Sequence, residues 1–234
     1  MTSRPPLMLC IAAPRECEAV ASAFGGALPG GPGGVVELRE AVSLLCVGVG
    51  PASAGVSSGA AFAARPPRAV VSLGIGGAFE GSGLSPGDTA LSDCSVLAGE
   101  GRLEASEKPP YQQLVGLTGI GFPPFSGGAD RAPPCPELRG HLRSLCDAEG
   151  AIATVSAASG SAALARATRD RTGAIVEAME GAAVHLASER FSVPFAEVRV
   201  ISNIVGGPET RPWKLEEALA ALGPLAVRIA DALT

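Results

Sequence analysis

Residues 44–73, LLCVGVGPASAGVSSGAAFAARPPRAVVSL, contain the pattern that decides the fold. The apolar runs Leu44–Val49 and Ala69–Leu73 lie on either side of an alanine-rich stretch, Ala52–Ala64, that has helical character. Short, near-continuous apolar runs are typical of strands that are covered on both faces, as in parallel sheets packed between helices. The segment therefore predicts two buried strands with a helix between them.

The same alternation continues in the rest of the chain. Further apolar runs occur at Leu7–Ala13, Ile152–Val155 and Phe195–Ile201, and further helix-like stretches at Ala162–Arg171 and Glu177–Arg190. Strands and helices that take turns predict an α/β protein with a largely parallel sheet.

Three other segments complete the prediction. Residues Lys214–Leu233 carry leucine and isoleucine at helical intervals, so we expect a helix with a kink or break at Gly223-Pro224. Gly25–Gly34 and Glu107–Arg131 are rich in glycine and proline and are predicted as loops. The second is long enough to form a functional lid or a subunit contact.

Composition excludes several classes of protein. A chain of 234 residues without an internal repeat or a linker predicts one domain, residues 1–234. Hydrophobic residues make up 47% and charged residues 18%, which argues against disorder. The net charge is −5 and the basic residues form no run, so nucleic acid is a poor partner. The run Leu7–Ala13 is too short to span a bilayer, and we expect no membrane contact.

Cysteine and histidine usage indicates a cytoplasmic protein without a catalytic metal. The six cysteines form no CxxC pair, and several lie in apolar runs where a reduced thiol packs as a small hydrophobic group. Only His141 and His185 are present, and neither lies in an HExxH pattern.

Two glycine-rich turns follow predicted strands, Gly48-Val49-Gly50-Pro51 and Gly74-Ile75-Gly76-Gly77. Either turn can bring backbone N–H groups close to a ligand, but a tight turn needs glycine even when nothing binds there. Neither has the Gly-Lys-Ser/Thr of a Walker A loop, and neither completes a dinucleotide-binding GxGxxG motif.

The segments Val176–Ala183 (VEAMEGAA) and Val198–Asn203 (VRVISN), together with Gly74–Gly77, resemble the nucleoside phosphorylase and hydrolase family. That family includes methylthioadenosine/S-adenosylhomocysteine nucleosidase and purine nucleoside phosphorylase. Residues Ile201–Gly206, followed by Trp213, are most similar to its futalosine hydrolase branch. The resemblance covers nearly the whole chain and implies a twisted mixed central β-sheet flanked by helices.

The resemblance also implies an activity. We expect hydrolysis of the N-glycosidic bond of a purine nucleoside, futalosine, to hypoxanthine and dehypoxanthine futalosine in menaquinone biosynthesis. No cofactor is needed, and the relatives imply a homo-oligomer, a dimer or higher. The alternatives are a methylthioadenosine-type nucleosidase, a purine nucleoside phosphorylase and a non-catalytic nucleoside-binding module.

Met179 and Glu180 lie in a helix-prone segment dominated by small apolar residues, where a carboxylate needs a partner. The resemblance implies that Glu180 accepts hydrogen bonds from ribose hydroxyls and that Met179 packs on the sugar. The alternative for Glu180 is a buried ion pair with an arginine such as Arg199.

Asn203 follows the predicted strand Phe195–Ile201, at the end where α/β sheets commonly bind ligands. Relatives that act on 6-aminopurines carry aspartate at the matching position. An amide offers a donor and an acceptor together, which suits a 6-oxopurine such as hypoxanthine. The alternative is an asparagine that only closes a turn.

Glu16 and Glu18 follow the first predicted strand, and the resemblance implies a glutamate here that deprotonates the attacking water. Glu16 is the first choice and Glu18 the second. The alternative is that both are solvated acids at the start of a helix.

Ile75, Gly76 and Gly77 match a region that helps to bind phosphate in the phosphorylases. The stretch Leu73–Glu80 contains no arginine, and Ile75 replaces a hydroxyl residue, so water is the expected nucleophile. An arginine from elsewhere in the chain remains an alternative.

The remaining site predictions concern loops. Phe122 and Phe125, in the long Gly/Pro loop, are expected to cover the base or the sugar substituent, or else to pack in an ordinary core. Ser159 falls where relatives contact the base through the backbone, with Ser161 as the alternative register. Residues 207–210 (GPET) stand where relatives tend to carry an Arg-Asp pair.

Overall fold

A computed structural model describes residues 5–206 and 213–234. In this part of the chain the strands are β1 (Leu7–Ile11), β2 (Val35–Arg39), β3 (Val42–Cys46), β4 (Ala69–Ala78), β5 (Thr89–Leu97), β6 (Gly101–Ala105), β7 (Gln112–Gly116), β8 (Arg131–Ala132), β9 (Ala148–Thr154), β10 (Val176–Ala178) and β11 (Phe195–Ile204). The helices are α1 (Pro14–Ala23), α2 (Pro51–Ala64), α3 (Pro136–Leu142), α4 (Ala162–Thr172), α5 (Gly181–Arg190) and α6 (Leu215–Leu233).

The central sheet is mixed and flanked by helices, as expected. Its strand order is β10-β9-β5-β11-β4-β1-β3-β2, with β8 paired to β5. Strands β1, β3, β4 and β11 are parallel neighbours, whereas β5 runs antiparallel to β11. Strand β10 pairs with β9 and also, antiparallel, with β4. The strands β4, β11, β5, β9 and β10 therefore form a closed ring.

Strand β1 shows how the apolar runs form the core. Leu7, Leu9 and Ile11 join one buried cluster with residues of α1 and α6, whereas Met8 and Cys10 join another with residues of α2 and α5. Alternate side chains of a strand point to opposite faces, so a strand covered by helices on both faces must be apolar throughout.

The structure corrects three boundaries. Gly74–Gly77 do not form a turn after a strand, because they lie inside β4. The predicted helix Glu177–Arg190 begins only at Gly181 and is preceded by the three-residue strand β10. The predicted loop Glu107–Arg131 contains β7, which pairs with β6 in a separate hairpin. Strand β10 is short and β7 is largely exposed, so neither gives a clear periodic signal.

Helix α6 runs through the predicted break. Pro224 lies inside the helix, and α6 packs closely on α1: a Cβ on Gly223 would lie 2.7 Å from the Ala19 carbonyl oxygen. Gly223 is therefore required for close helix contact. Among the described residues, no helix is long and apolar enough to cross a membrane.

Candidate functional site

A cavity of about 460 Å³ opens where β1, β4, β10 and β11 end. The described residues that line it come from seven segments of the chain. They are Ala12, Ala13, Glu16, Val49, Ile75, Gly76, Gly77, Ala158, Ser159, Gly160, Glu177, Ala178, Met179, Glu180, Ser202, Asn203, Ile204, Val205, Gly206 and Trp213. The cavity thus brings together most of the predicted site residues.

Glu16 lies in the first turn of α1 and is only 4% exposed. Its Oε1 accepts a hydrogen bond from the Ile75 N–H at 2.7 Å, and its Oε2 accepts one from the Ala13 N–H at 2.8 Å. Burial raises the pKa of Glu16, although these two bonds and Arg199 oppose the rise. Glu18 is exposed. Of the two acids, the structure therefore places Glu16 at the cavity.

Glu180 is the residue that precedes α5, and it is buried. Its Oε1 accepts a hydrogen bond from the Gly50 N–H at 3.1 Å, so the Gly48–Pro51 turn holds this side chain. Its Oε2 lies 3.4 Å from Nη1 of Arg199. Glu180 thus lines the cavity and also forms the ion pair that the sequence offered as an alternative. Met179 is half-buried and lines the cavity beside it.

The glycines of β4 let side chains from other elements approach the strand closely. A Cβ on Gly74 would lie 2.7 Å from Oε1 of Glu16 and 2.8 Å from Nη1 of Arg199. A Cβ on Gly77 would lie 2.7 Å from Val205 and 3.3 Å from the Asn203 amide nitrogen. Glycine inside a strand commonly marks such a close approach.

Asn203 is positioned by an irregularity in β11. Ile201 pairs with Gly76 and Asn203 with Gly77, so Ser202 is an extra residue in the strand. Such a bulge changes the direction in which a side chain points. Oδ1 of Asn203 accepts a hydrogen bond from the Ser202 hydroxyl at 2.9 Å, and Nδ2 donates to the Ile204 carbonyl at 3.2 Å. One amide hydrogen and one acceptor site of Asn203 are left for a ligand.

Ser159 lines the cavity through a contact that the sequence analysis missed. Its N–H and its hydroxyl donate to the two carboxylate oxygens of Glu177, at 2.8 and 2.6 Å. Burial raises the pKa of Glu177, and the two hydrogen bonds oppose this. Glu177 therefore anchors the loop around residues 158–160. Ser161 instead caps α4 by accepting a hydrogen bond from the Leu164 N–H.

The two loop phenylalanines lie elsewhere. Phe125 is 2% exposed and packs in a core cluster with Leu97, Ala132 and Ala182. The expectation that it covers the ligand is corrected, since its ring fills the core. Phe122 is 70% exposed and does not line the cavity of its own chain.

A buried polar cluster lies next to the cavity. Nε of Arg199 donates to Oε1 of Glu197 at 3.0 Å, and Nη2 donates to the Ser72 hydroxyl at 3.0 Å. Glu197 was not predicted, because a single acidic residue in an apolar run gives no sign of its partner.

Two further predictions concern charge and metal binding. Among the described residues that line the cavity there is no lysine or arginine. No group of three or more His, Cys, Asp or Glu that could hold a metal ion occurs in residues 5–206 and 213–234. Residues 207–210, where relatives tend to carry an Arg-Asp pair, lie outside the described residues.

The chain belongs to the phosphorylase superfamily, which it matches over residues 12–234. It is 35% identical to a futalosine hydrolase of Streptomyces coelicolor, over 97% of this chain and 96% of that protein. A futalosine hydrolase of Acidothermus cellulolyticus is 34% identical, over 92% and 89%. A methylthioadenosine/S-adenosylhomocysteine nucleosidase of Colwellia psychrerythraea, solved with adenine, shares the fold with a TM-score of 0.77. It is 19% identical and covers 99% of this chain and 96% of that one.

Proposed function

We propose that this chain hydrolyses the N-glycosidic bond of futalosine and releases hypoxanthine and dehypoxanthine futalosine, a step of menaquinone biosynthesis. One observation carries the proposal: a single cavity is lined by the buried carboxylates of Glu16 and Glu180 and by the Asn203 amide. The two relatives named futalosine hydrolase, which align along most of their length, support the choice of substrate.

The sugar binds at Glu180. Gly50 and Arg199 each contact one oxygen of this carboxylate, which keeps the group in place while leaving it able to accept further hydrogen bonds. The ribose hydroxyls donate those bonds, and Met179 packs against the sugar. A ligand that satisfies Glu180 offsets the cost of burying this carboxylate.

The base binds at Asn203. The remaining hydrogen of its Nδ2 donates to O6 or N7 of a 6-oxopurine, and Oδ1 has one acceptor site left for a base N–H. As the glycosidic bond lengthens, negative charge gathers on the departing base. A fixed donor stabilises that charge more strongly than it stabilises the neutral substrate.

Glu16 directs water at C1′ of the ribose. Its two backbone hydrogen bonds fix the carboxylate, and burial favours the protonated form, which makes the ionised group a better base than an exposed glutamate. Loss of the base creates an oxocarbenium-like sugar, and Glu16 accepts the proton of the water that adds to it. No cofactor takes part.

The test is a measurement of free base release from four nucleosides: futalosine, inosine, aminodeoxyfutalosine and methylthioadenosine. We expect futalosine to have the highest kcat/KM. Preferred cleavage of methylthioadenosine would instead assign a methylthioadenosine-type nucleosidase. A ligand that raises the melting temperature but releases no base would indicate a binding module.

We also infer that the protein acts in the cytoplasm as a homo-oligomer. All six cysteines are free, which suits a reducing compartment. Val56 and Phe122 are 74% and 70% exposed, and large exposed apolar side chains are commonly covered at subunit contacts. Phe122 then reaches the cavity of a neighbouring copy. Light scattering will give the mass in solution, and a monomer would contradict this inference.

A further inference from the structure

Glu197 is a fully buried carboxylate that does not line the cavity. It lies two residues before Arg199 in β11, so the two side chains are on the same face of the strand. Oε1 of Glu197 accepts the hydrogen bond from Nε of Arg199, and Oε2 accepts one from the Ser95 hydroxyl at 3.4 Å. Burial raises the pKa of Glu197, whereas the guanidinium of Arg199 and the Ser95 hydroxyl favour its ionised form.

The charges around Arg199 do not balance. Glu197 and Glu180 contact its guanidinium, and Oε1 of Glu16 lies close to its Nη1 beside Gly74. Three carboxylates therefore share one buried cation. Burial by itself lowers the pKa of Arg199, but the three glutamates together raise it above its ordinary value. Uncompensated buried charge is costly, so the excess negative charge of these carboxylates needs a positive group nearby.

We infer that Glu197 is a positioning residue that engages Arg199 and thereby leaves Glu16 and Glu180 with uncompensated negative charge facing the sugar. The inference rests on the proposed function, because its counterpart is the positive charge that develops on the ribose as the base leaves. The ribose of the bound substrate is neutral, whereas the ribose of the transition state is cationic. Negative charge at this place therefore stabilises the transition state more than the substrate.

Space for Glu197 is built into the fold. A Cβ on Gly181 would lie 2.0 to 2.2 Å from the two oxygens of the Glu197 carboxylate. Only glycine at the first residue of α5 leaves room for this group. The carboxylate consequently lies against the positive end of that helix dipole, which partly offsets its burial.

The test uses Glu197→Gln, which keeps the shape of the side chain and removes its charge. Arg199 then neutralises Glu180 and Glu16 more fully. We expect kcat for futalosine to fall at least tenfold with little change in KM. Glu149→Gln is the matched control, because Glu149 pairs with Arg139 at 2.7 Å and does not line the cavity. The control should leave kcat and KM unchanged.

A pair of inhibitors measures the charge effect directly. One is a hydroxypyrrolidine linked to a hypoxanthine-like base, which is a cation at neutral pH, and the other is its neutral cyclopentane counterpart. We expect Glu197→Gln to weaken the cation by at least tenfold and to leave the neutral inhibitor unchanged. Equal weakening of both, or of neither, would overturn the inference.

The double variant Glu197→Gln/Arg199→Met restores the net charge of the cluster. We expect it to recover the preference for the cationic inhibitor. If Glu197→Gln alone does not fold, the double variant decides, because replacing a whole buried pair is better tolerated than removing one partner. A double variant without that preference would contradict the inference. If the wild-type protein releases no base, the proposed function fails instead.

Discussion

Two backbone N–H groups hold the Glu16 carboxylate in place. Replacement by glutamine keeps the shape of this side chain and removes its charge. We expect Glu16→Gln to lower kcat by roughly 10²–10⁴, because an amide cannot accept the proton of water. Substrate should still bind. The new NH₂ group will face either the Ala13 or the Ile75 N–H, and the unmet hydrogen bond should cost about 1–3 kcal/mol of unfolding free energy.

The measurement for Glu16 is kcat and KM with the folded fraction checked by circular dichroism. Glu18→Gln is the matched control, since Glu18 is an exposed acid on the same helix. If Glu18→Gln abolished turnover and Glu16→Gln did not, the water-activating residue would be wrongly assigned.

The substitution Asn203→Asp tests whether this side chain distinguishes a 6-oxopurine from a 6-aminopurine. In Asn203→Asp, one carboxylate oxygen replaces Nδ2 and faces the Ile204 carbonyl, and no donor remains for O6 of a 6-oxopurine. Sites built to hydrogen-bond a substrate group can discriminate by roughly 10⁴ or more, so cleavage of the hypoxanthine nucleoside should fall at least about tenfold. The 6-amino analogue should lose less, or gain.

For Asn203 we would measure kcat/KM for both nucleosides with both proteins at one pH. An equal loss on the two substrates would show that Asn203 holds the end of β11 in place and does not read the base.

Among the elements of the fold, strand β4 bears on whether water or phosphate is the nucleophile. Its residues Ile75–Gly77 line the cavity, and the described lining residues include no lysine or arginine. Arg199 is already engaged by carboxylates. A phosphate ion would lack its strongest partner there. We therefore expect that added phosphate leaves the rate of base release unchanged and that the product is a free sugar. Detection of a ribose 1-phosphate would contradict the hydrolase assignment.

The same strand shows what the sequence could and could not predict. Apolar runs such as that of β4 were predicted because burial on both faces leaves a continuous signal. Strand β5 was missed, since Ser92 and Asp93 interrupt it and its register shifts there. Strand β10 is three residues long and merges into an alanine-rich helix.

The site residues, too, could be predicted only in part from the sequence. Glu16, Glu180 and Asn203 were predicted because their motifs resemble a family, and the structure places all three at the cavity. Glu177 and Glu197 were missed, because their roles depend on partners that lie far away in the sequence, Ser159 and Ser95 among them.

At the scale of the whole molecule, His185 makes stability depend on pH. Its ring stacks on Phe195 at 4.2 Å, and its buried Nδ1 has no hydrogen-bond partner within residues 5–206 and 213–234. Burial lowers the pKa of His185 to about 4, although Glu189 opposes this. A lowered pKa means that the contribution to stability is complete above pH 6.5 and is lost as pH falls towards 4.

We expect His185→Phe to reduce the loss of unfolding free energy between pH 6.5 and 4 by an amount on the order of 3 kcal/mol. The ring contacts with Phe195 and Phe125 are kept. The measurement is urea unfolding across this pH range. His141→Phe is the control, because His141 is not buried. An unchanged slope in His185→Phe would show that other groups cause the acid sensitivity.

The closed ring formed by strands β4, β11, β5, β9 and β10 limits how far the two ends of the cavity can move apart. Asn203 lies near the end of β11, Glu180 follows β10, and both strands are hydrogen-bonded to β4. Neighbouring strands are about 4.8 Å apart, and neither β10 nor β11 can move away from β4 without breaking its ladder. In the proposed binding mode, the distance between Asn203 at the base and Glu180 at the ribose is therefore almost fixed. If the proposed binding mode is correct, we expect substrates to vary only at the end of the sugar that points away from Asn203 and Glu180.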